Sequence, residues 1–286
     1  MTRGLLHGPV LSACLLCLAA IPSLAASAPQ RVVVAGSALT EIVYALGLEQ
    51  RLVGVDTTST FPESASALPN VGYLRSLVAE GVLSLHPDLL LAAGEAGPPT
   101  ALKQIRAAQV PVERVETPYS REGVAAKIQA VARALVAVEQ GEALIRRYAA
   151  DWQHTDAALT ARGQAPRVLF VLAHGSTLQV AGRATAADAV IRLAGALNAI
   201  TEFEGYRPLT AESAVMIDPD VVLITTQGLA TLGGNEALWK VPGLALTTAG
   251  KSRRLVAMEA NYLLGFGPRL PQVVLDLSRQ MGEAAP

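Results

Sequence analysis

Residues 79–97 read AEGVLSLHPDLLLAAGEAG, and residues 211–229 read AESAVMIDPDVVLITTQGL. Both stretches open on Ala-Glu, keep apolar residues at matching positions, and place Pro-Asp just before an aliphatic run. Three further pairs of segments match in the same order: GYLRSLVAE (72–80) with GYRPLTAE (205–212), VAGSALTEIVYALG (34–47) with VAGRATAADAVIRLAG (180–195), and RVVVAGS (31–37) with RVLFVLAHGS (167–176). This shared order indicates two copies of one unit of domain size.

Each unit alternates short β-branched or aliphatic runs with segments of helical spacing. In the first unit the pattern predicts strands at 32–35, 51–55, 89–92 and 110–115 and helices at 40–46, 78–85 and 101–108. Such alternation is typical of a parallel sheet wrapped by helices. The predicted fold class is therefore α/β, with two similar lobes that each contain a parallel sheet.

The segment between the two units has a different pattern. Residues 122–162 contain no proline and keep apolar residues at helical spacing. We predict one helix that ends near Val138 and a long helix from Glu139 to Ala161, which would join the lobes as a rigid strut. The alternative is a pair of ordinary crossover helices. Because no Gly/Ser-rich linker is present, we expect no large hinge closure.

The predicted organisation has four parts: a signal peptide (1–28), an N-terminal lobe (29–120), linking helices with the backbone helix (121–162), and a C-terminal lobe (163–286). Ligands gather outside the carboxyl ends of parallel strands. We therefore expect a ligand cleft between the two lobes.

Residues 1–28 have the features of a secretory signal: one early cation, Arg3, then an apolar run and small residues. We expect them to be cleaved, which predicts a periplasmic protein. Both cysteines, Cys14 and Cys17, lie in this segment, so the exported chain has no disulfide and no thiolate metal ligand. The formal net charge of −1 gives no basic surface for nucleic acid.

Two tyrosines occupy corresponding positions in the repeat, each directly after a glycine. Tyr73 lies in the first copy and Tyr206 in the second. If an approximate two-fold axis relates the lobes, the two side chains approach the cleft from opposite walls.

The stretch VGYLRSLVAEGVLSLHPDLLLA (71–92) resembles the periplasmic haem-binding proteins of bacterial haem ABC importers. These belong to the helical-backbone (class III) substrate-binding proteins, and the resemblance covers essentially the whole exported chain. It implies that the chain binds haem and that Tyr73 ligates the iron. The chemistry agrees, because ferric iron is hard and a phenolate is a hard anionic ligand. A free phenol ionises only near pH ~10, so the iron and a nearby cation such as Arg75 must assist.

Three further residues are candidate haem contacts. Tyr206 and Arg207 either close over the other haem face or bind a propionate, or they are lobe scaffolding shared by both copies. His174 ends the first strand of the second unit, and some members of the resembled family use a histidine of this lobe as a second iron ligand. The alternative for His174 is a strand-end histidine bonded to backbone.

Glu80 and Glu212 occupy the same place in the two copies, each at the start of a short predicted helix. The helix dipole alone would favour a carboxylate there. Matched carboxylates on two lobes would also dock on matched arginines of a two-fold symmetric ABC permease in the inner membrane. The resembled class docks in this way, so we predict permease docking by a monomeric binding protein.

Other functions fit the sequence less well. There is no Gly-x-Ser-x-Gly elbow and no phosphate-binding loop, which argues against a secreted α/β enzyme. The three histidines after the signal segment are scattered, which argues against a bare metal site. A ferric siderophore or cobalamin as the ligand of the same fold stays open.

Overall fold

A computed structural model describes residues 1, 27–116, 118–159, 165–174 and 177–283, with backbone alone at His174, Thr177 and Glu283. Residues 2–26, which make up nearly all of the predicted signal peptide, lie outside this part of the chain. Within it the predicted α/β architecture with two lobes and a long connecting helix is confirmed. The exact lobe boundaries given above stay a prediction.

The first lobe follows the predicted alternation closely. Its strands are β1 (Val32–Ala35), β2 (Leu52–Val55), β3 (Leu89–Ala93) and β4 (Val112–Val115), and its helices are α1 (Ser37–Ala45), α2 (Ala79–Leu83) and α3 (Pro99–Ala107). The sheet order is β2-β1-β3-β4, and every pair is parallel. The carboxyl ends of all these strands therefore lie along one edge, where ligands of α/β proteins gather.

The second lobe also alternates strands with helices, and it contains more of both than the first lobe. Its strands are β5 (Arg167–His174), β6 (Thr177–Ala181), β7 (Leu197–Asn198), β8 (Tyr206–Pro208), β9 (Val221–Thr225) and β10 (Leu255–Met258). Its helices are α6 (Ala186–Leu193), α7 (Ala211–Ile217), α8 (Thr226–Leu232), α9 (Asn235–Trp239), α10 (Thr248–Lys251), α11 (Ala260–Leu264) and α12 (Leu270–Glu283).

The sheet of the second lobe is mixed, where the sequence pattern predicts a parallel one. The strand order is β10-β9-β5-β6-β8, and the short strand β7 pairs with β5 outside this order. Strands β9 and β10 run parallel as predicted, but β6 is antiparallel to both β5 and β8. The reason is chain length: β6 begins three residues after β5 ends, and a parallel neighbour needs a crossover of a dozen residues or more.

Two consecutive helices join the lobes. Helix α4 covers Arg121–Ala134, and α5 covers the 22 residues Val138–Leu159. At 1.5 Å per residue α5 is about 33 Å long, which is close to the width of a lobe. It packs against α4 on one side and α12 on another. The prediction of a long rigid helix between the lobes is thus confirmed within the described range.

The lobes share one hydrophobic core. It begins on one face of the first sheet, at residues such as Val34, and continues through α1, α4 and α5. From there it reaches α12, α6 and the face of the second sheet that contains Phe170. Each lobe has a separate core only on the opposite face of its sheet. Because interiors are close-packed, relative movement of the lobes would disturb this common core.

Helices α4 and α5 approach each other closely at a glycine. A Cβ atom on Gly141 of α5 would lie 2.4 Å from the Cβ of Ala132 in α4, which is too close without a backbone shift. The small residue at 141 therefore sets the spacing of the connecting helices.

In the described ranges no helix has both the length and the hydropathy needed to cross a membrane.

We predict that Gly141→Ala destabilises the protein although alanine is the better helix former. Overpacking of this kind costs about 1–3 kcal/mol. This cost exceeds the gain in helix propensity from glycine to alanine, which is about 1 kcal/mol. Gly81→Ala in α2 is the matched control, because no atom lies within 4 Å of its added Cβ. Urea denaturation should show a lower free energy of unfolding for Gly141→Ala and an unchanged or higher one for Gly81→Ala. Equal stabilisation of both variants would contradict the close approach.

Candidate ligand-binding cleft

The loop that carries Tyr73 lies at the carboxyl edge of the first sheet. The backbone N–H of Val71 donates to the carbonyl of Val55 at the end of β2, and the N–H of Thr57 donates to Gly72, both at 3.0 Å. Farther along the loop, the N–H of Leu77 donates to Gly97, just beyond β3, at 2.8 Å. The loop is therefore anchored on both sides, and Tyr73 itself remains 44% exposed.

A matched glycine precedes each of the two tyrosines. Gly72 has φ +91° and Gly205 has φ +77°, values that non-glycine residues rarely adopt. An added Cβ would meet no atom within 4 Å at either position, so backbone rotation rather than crowding requires glycine here. The repeated Gly-Tyr pair thus marks a repeated turn that presents the tyrosine.

Tyr206 begins β8, the edge strand of the second sheet, where it pairs with Ala181 of β6. Its side chain is 39% exposed. Burial raises the pKa of Tyr206, the neighbouring Tyr119 raises it further, and the positive charge of Arg75 lowers it. Because Arg75 belongs to the first lobe, this interaction places the two repeated loops across a common space.

Tyr119 completes this group. It follows β4 and precedes α4, so it too lies at the carboxyl edge of the first sheet. Burial raises the pKa of Tyr119, Glu95 raises it further, and Arg75 lowers it. The charge of Arg75 therefore acts on both Tyr119 and Tyr206, which indicates that the three side chains share one region of the cleft.

Two predicted contacts lie outside this group. The guanidinium of Arg207 stacks on the ring of Phe203 at 4.5 Å. Successive side chains of a strand point to opposite faces, which directs Arg207 away from the face that Tyr206 uses. His174 is the last residue of β5 and pairs with Thr177, but its side chain lies outside the described part of the structure.

The floor of the cleft is formed where α4 meets the segment before α12. The rings of Tyr119 and Phe266 are 5.1 Å apart and tilted by 57°. The carbonyl of Phe266 accepts a hydrogen bond of 3.0 Å from Nζ of Lys127 in α4. Burial lowers the pKa of Lys127 to about 8, while Glu95 and Glu41 act in the opposite direction.

Next to this floor an ion pair joins the lobes. Arg269 donates from Nε to Oε2 of Glu41 at 2.9 Å and from Nη2 to Oε1 at 2.6 Å. Its guanidinium also lies 3.6 Å from the ring centre of Phe61 and 4.7 Å from that of Tyr262. Burial raises the pKa of Glu41, which Arg269 partly offsets. A planar cation held by two hydrogen bonds and two rings fixes this contact geometrically.

Among the described residues, no group of three or more His, Asp or Glu side chains has metal-binding geometry. A groove of about 420 Å³ is bounded by α5 and the start of α12, and includes Tyr148, His154 and Gln272. None of the predicted site residues lines it.

Glu80 and Glu212 keep their correspondence in three dimensions. Each is the second residue of a short helix, α2 and α7 respectively, and each side chain is exposed. Exposed apolar residues accompany both: Val78 is 62% exposed beside Glu80, and Met216 is 78% exposed in the helix of Glu212.

The sequence pattern did not indicate Tyr119, Lys127 or Glu41, the partner of Arg269, as residues of the cleft. None of the three lies in the stretch 71–92 that carries the haem resemblance. A signal for Tyr119 was nevertheless present, because it follows the fourth parallel strand at the edge where ligands gather. Lys127 and Glu41 gave no such signal, since a single charge on a predicted helix is usually solvated.

The chain matches one family of known proteins and is similar to solved structures and relatives over most of its length. The family described as periplasmic binding protein matches residues 32–262. The haem-binding protein BhuT, solved in complex with two haems, is 50% identical with a TM-score of 0.86, covering 89% of this chain and 98% of BhuT. The haem-binding protein RhuT from Roseiflexus sp. RS-1, solved without ligand, is 41% identical with a TM-score of 0.87, covering 90% and 99%. A vitamin B12-binding protein of Pectobacterium atrosepticum is 24% identical, covering 96% and 94%.

We predict that Arg269→Leu lowers the free energy of unfolding by about 3–5 kcal/mol, because it leaves the carboxylate of Glu41 buried without a cation. Glu41→Gln should cost only roughly 1–2 kcal/mol, since the amide still accepts a hydrogen bond and Arg269 keeps its ring contacts. Adding Glu41→Gln to Arg269→Leu should restore part of the loss. Denaturation at neutral pH measures all three variants, and additive losses in the double variant would contradict a buried charge pair.

Proposed function

This chain belongs to the periplasmic binding protein family, and from that membership we propose that it captures haem in the cleft between its lobes and delivers it to an ABC permease. The observation that carries the proposal is the high identity to solved haem-binding proteins over almost the entire length of both chains. These relatives are described as binding proteins, which fits a chain that captures a ligand without catalytic turnover.

The residues around the cleft suit a haem. Its porphyrin is a large apolar disc with two carboxylates at one edge. The exposed rings of Tyr73, Tyr119 and Tyr206 offer apolar surface, and Arg75 offers a cation for a carboxylate or a phenolate. Mostly apolar walls with a few placed polar groups are the usual composition of such sites.

We assign the iron ligand to Tyr73. Support comes from the resemblance at residues 71–92, from its exposed phenol, and from the loop that hydrogen bonds anchor to the ends of β2 and β3. An anchored loop holds the oxygen in place before the ligand arrives, which reduces the entropy lost on binding. We propose that Arg75, two residues further on the same loop, donates a hydrogen bond to the ligating oxygen or to a haem carboxylate.

Tyr206 is proposed to cover the opposite face of the ligand, since it shares the electrostatic environment of Arg75 across the cleft. For Arg207 the stacking on Phe203 supports a scaffolding role more than a propionate contact. A role for His174 as a second iron ligand stays a prediction.

Docking on the permease is proposed to use Glu80 and Glu212. Both carboxylates are exposed, both open a short helix, and exposed apolar side chains accompany each. A two-fold symmetric permease presents the same surface twice, which suits one carboxylate on each of two related lobes. We propose that a monomer carries out this transfer in the periplasm.

Cobalamin is the second candidate ligand, because relatives described as vitamin B12-binding proteins match at lower identity over nearly the full chain. Titration calorimetry with cyanocobalamin and with haem separates the two ligands. Tighter binding of cyanocobalamin than of haem would replace the first proposal with the second.

We predict that Tyr73→Phe abolishes the tyrosinate-to-iron charge-transfer absorption of the haem complex and weakens haem binding by about tenfold or more. The variant removes one oxygen and keeps the ring, so packing changes little. Tyr119→Phe is the matched control and should retain the absorption band. A visible spectrum of each haem-loaded protein is the measurement, and a band that survives in Tyr73→Phe would remove Tyr73 as the ligand.

We expect the double variant Glu80→Lys/Glu212→Lys to lose haem uptake through the permease, because two attractive contacts become repulsive. Haem affinity should not change, since neither residue lies among the cleft residues. Glu142→Lys/Glu236→Lys alters two other exposed carboxylates and serves as the control. The measurement is haem uptake into vesicles that contain the permease. Transport that persists in Glu80→Lys/Glu212→Lys would rule out the docking assignment.

A further inference from the structure

Lys127 has an unusual environment for a lysine. It lies in the middle of α4, is only partly exposed, and directs Nζ to the carbonyl of Phe266 at 3.0 Å. That bond uses one of its three N–H donors. Among the described residues no carboxylate forms an ion pair with it. Among the described residues the ammonium thus makes one hydrogen bond, at the cleft floor, and has two further N–H donors.

The carboxylates around Lys127 do not compensate its charge by contact. Glu41 is buried, but both of its carboxylate oxygens accept hydrogen bonds from Arg269. Glu95, on the loop after β3, is exposed and acts on Lys127 only through its charge. The ammonium of Lys127 therefore has no carboxylate in contact among the described residues, although it lies beside the Tyr119 and Phe266 rings.

We propose that Lys127 binds a carboxylate of the cleft ligand, so that it selects a ligand whose apolar disc carries an anionic edge. This inference rests on the proposed haem function and adds a specificity-determining residue to it. The ring of Tyr119 contacts the tilted ring of Phe266, and the carbonyl of Phe266 accepts the hydrogen bond from Lys127 Nζ, so the aromatic wall and the cation are neighbours. A carboxylate there would accept charge-assisted hydrogen bonds from the N–H groups of Lys127 that Phe266 does not use.

A purely structural role for Lys127 is a poor alternative. Burial lowers the pKa of Lys127 to about 8, which means that the folded protein holds the charged form at a cost in free energy. Because the unfolded chain binds the proton more tightly, this cost is present at neutral pH and disappears as pH rises beyond the ordinary lysine value. Function at the expense of stability is typical of binding sites.

The test compares haem with haem dimethyl ester, in which both carboxylates are blocked. Dissociation constants for both are measured with the wild type, with Lys127→Met, and with Lys103→Met, an exposed lysine of α3, as control. We expect Lys127→Met to weaken haem binding about 10- to 100-fold and ester binding little. The thermal midpoint of ligand-free Lys127→Met should not fall, and its tyrosinate absorption should persist.

The outcomes separate this inference from the function on which it rests. If the wild type binds haem but Lys127→Met keeps the same ratio of haem to ester affinity, the role of Lys127 is refuted and the haem function stands. Equal weakening of haem and ester with a lower thermal midpoint also refutes it, since that result indicates loss of structure. A wild type that binds neither porphyrin refutes both proposals.

Discussion

The ion pair between Glu41 and Arg269 holds the two lobes in one relative position. Glu41 lies in α1 of the first lobe and is 7% exposed, while Arg269 precedes the last helix of the second lobe. Two hydrogen bonds and two ring contacts define the geometry of the pair, and breaking it would leave a charge in the interior. Asn261 adds a hydrogen bond of 3.4 Å to Thr60 across the same boundary.

The shared core makes this fixed position a property of the whole molecule. The helices α4, α5 and α12 are packed with both sheets in one hydrophobic cluster, so the cleft has a common floor rather than a hinge. A cleft with that construction is largely formed before its ligand binds. Preorganisation suits a rigid planar ligand, because affinity then depends on contacts and not on the ordering of protein segments.

Much of the fold could be predicted from residue patterns because the lobes repeat. Local residue patterns predict the strands that follow Pro-Asp and the long helix without proline. They also predict the turns at Gly72 and Gly205, where the backbone has a positive φ. The antiparallel β6 was missed because its short connection to β5 breaks the repeat. Tyr119 follows a predicted parallel strand, but its contact with Phe266 depends on residues far along the chain, and the same holds for the hydrogen bond of Lys127 to Phe266, so sequence alone predicts neither contact.

The central claim is that Tyr73 presents its phenolate oxygen to porphyrin iron in the cleft. Diffraction from crystals of the haem-loaded protein, recorded at the iron absorption edge, locates the metal independently of any assignment of the ligand. The account predicts an iron peak at bonding distance from the Tyr73 oxygen, with the porphyrin between the loops of Arg75 and Tyr206. An iron peak remote from Tyr73, or a haem outside the cleft, would contradict it.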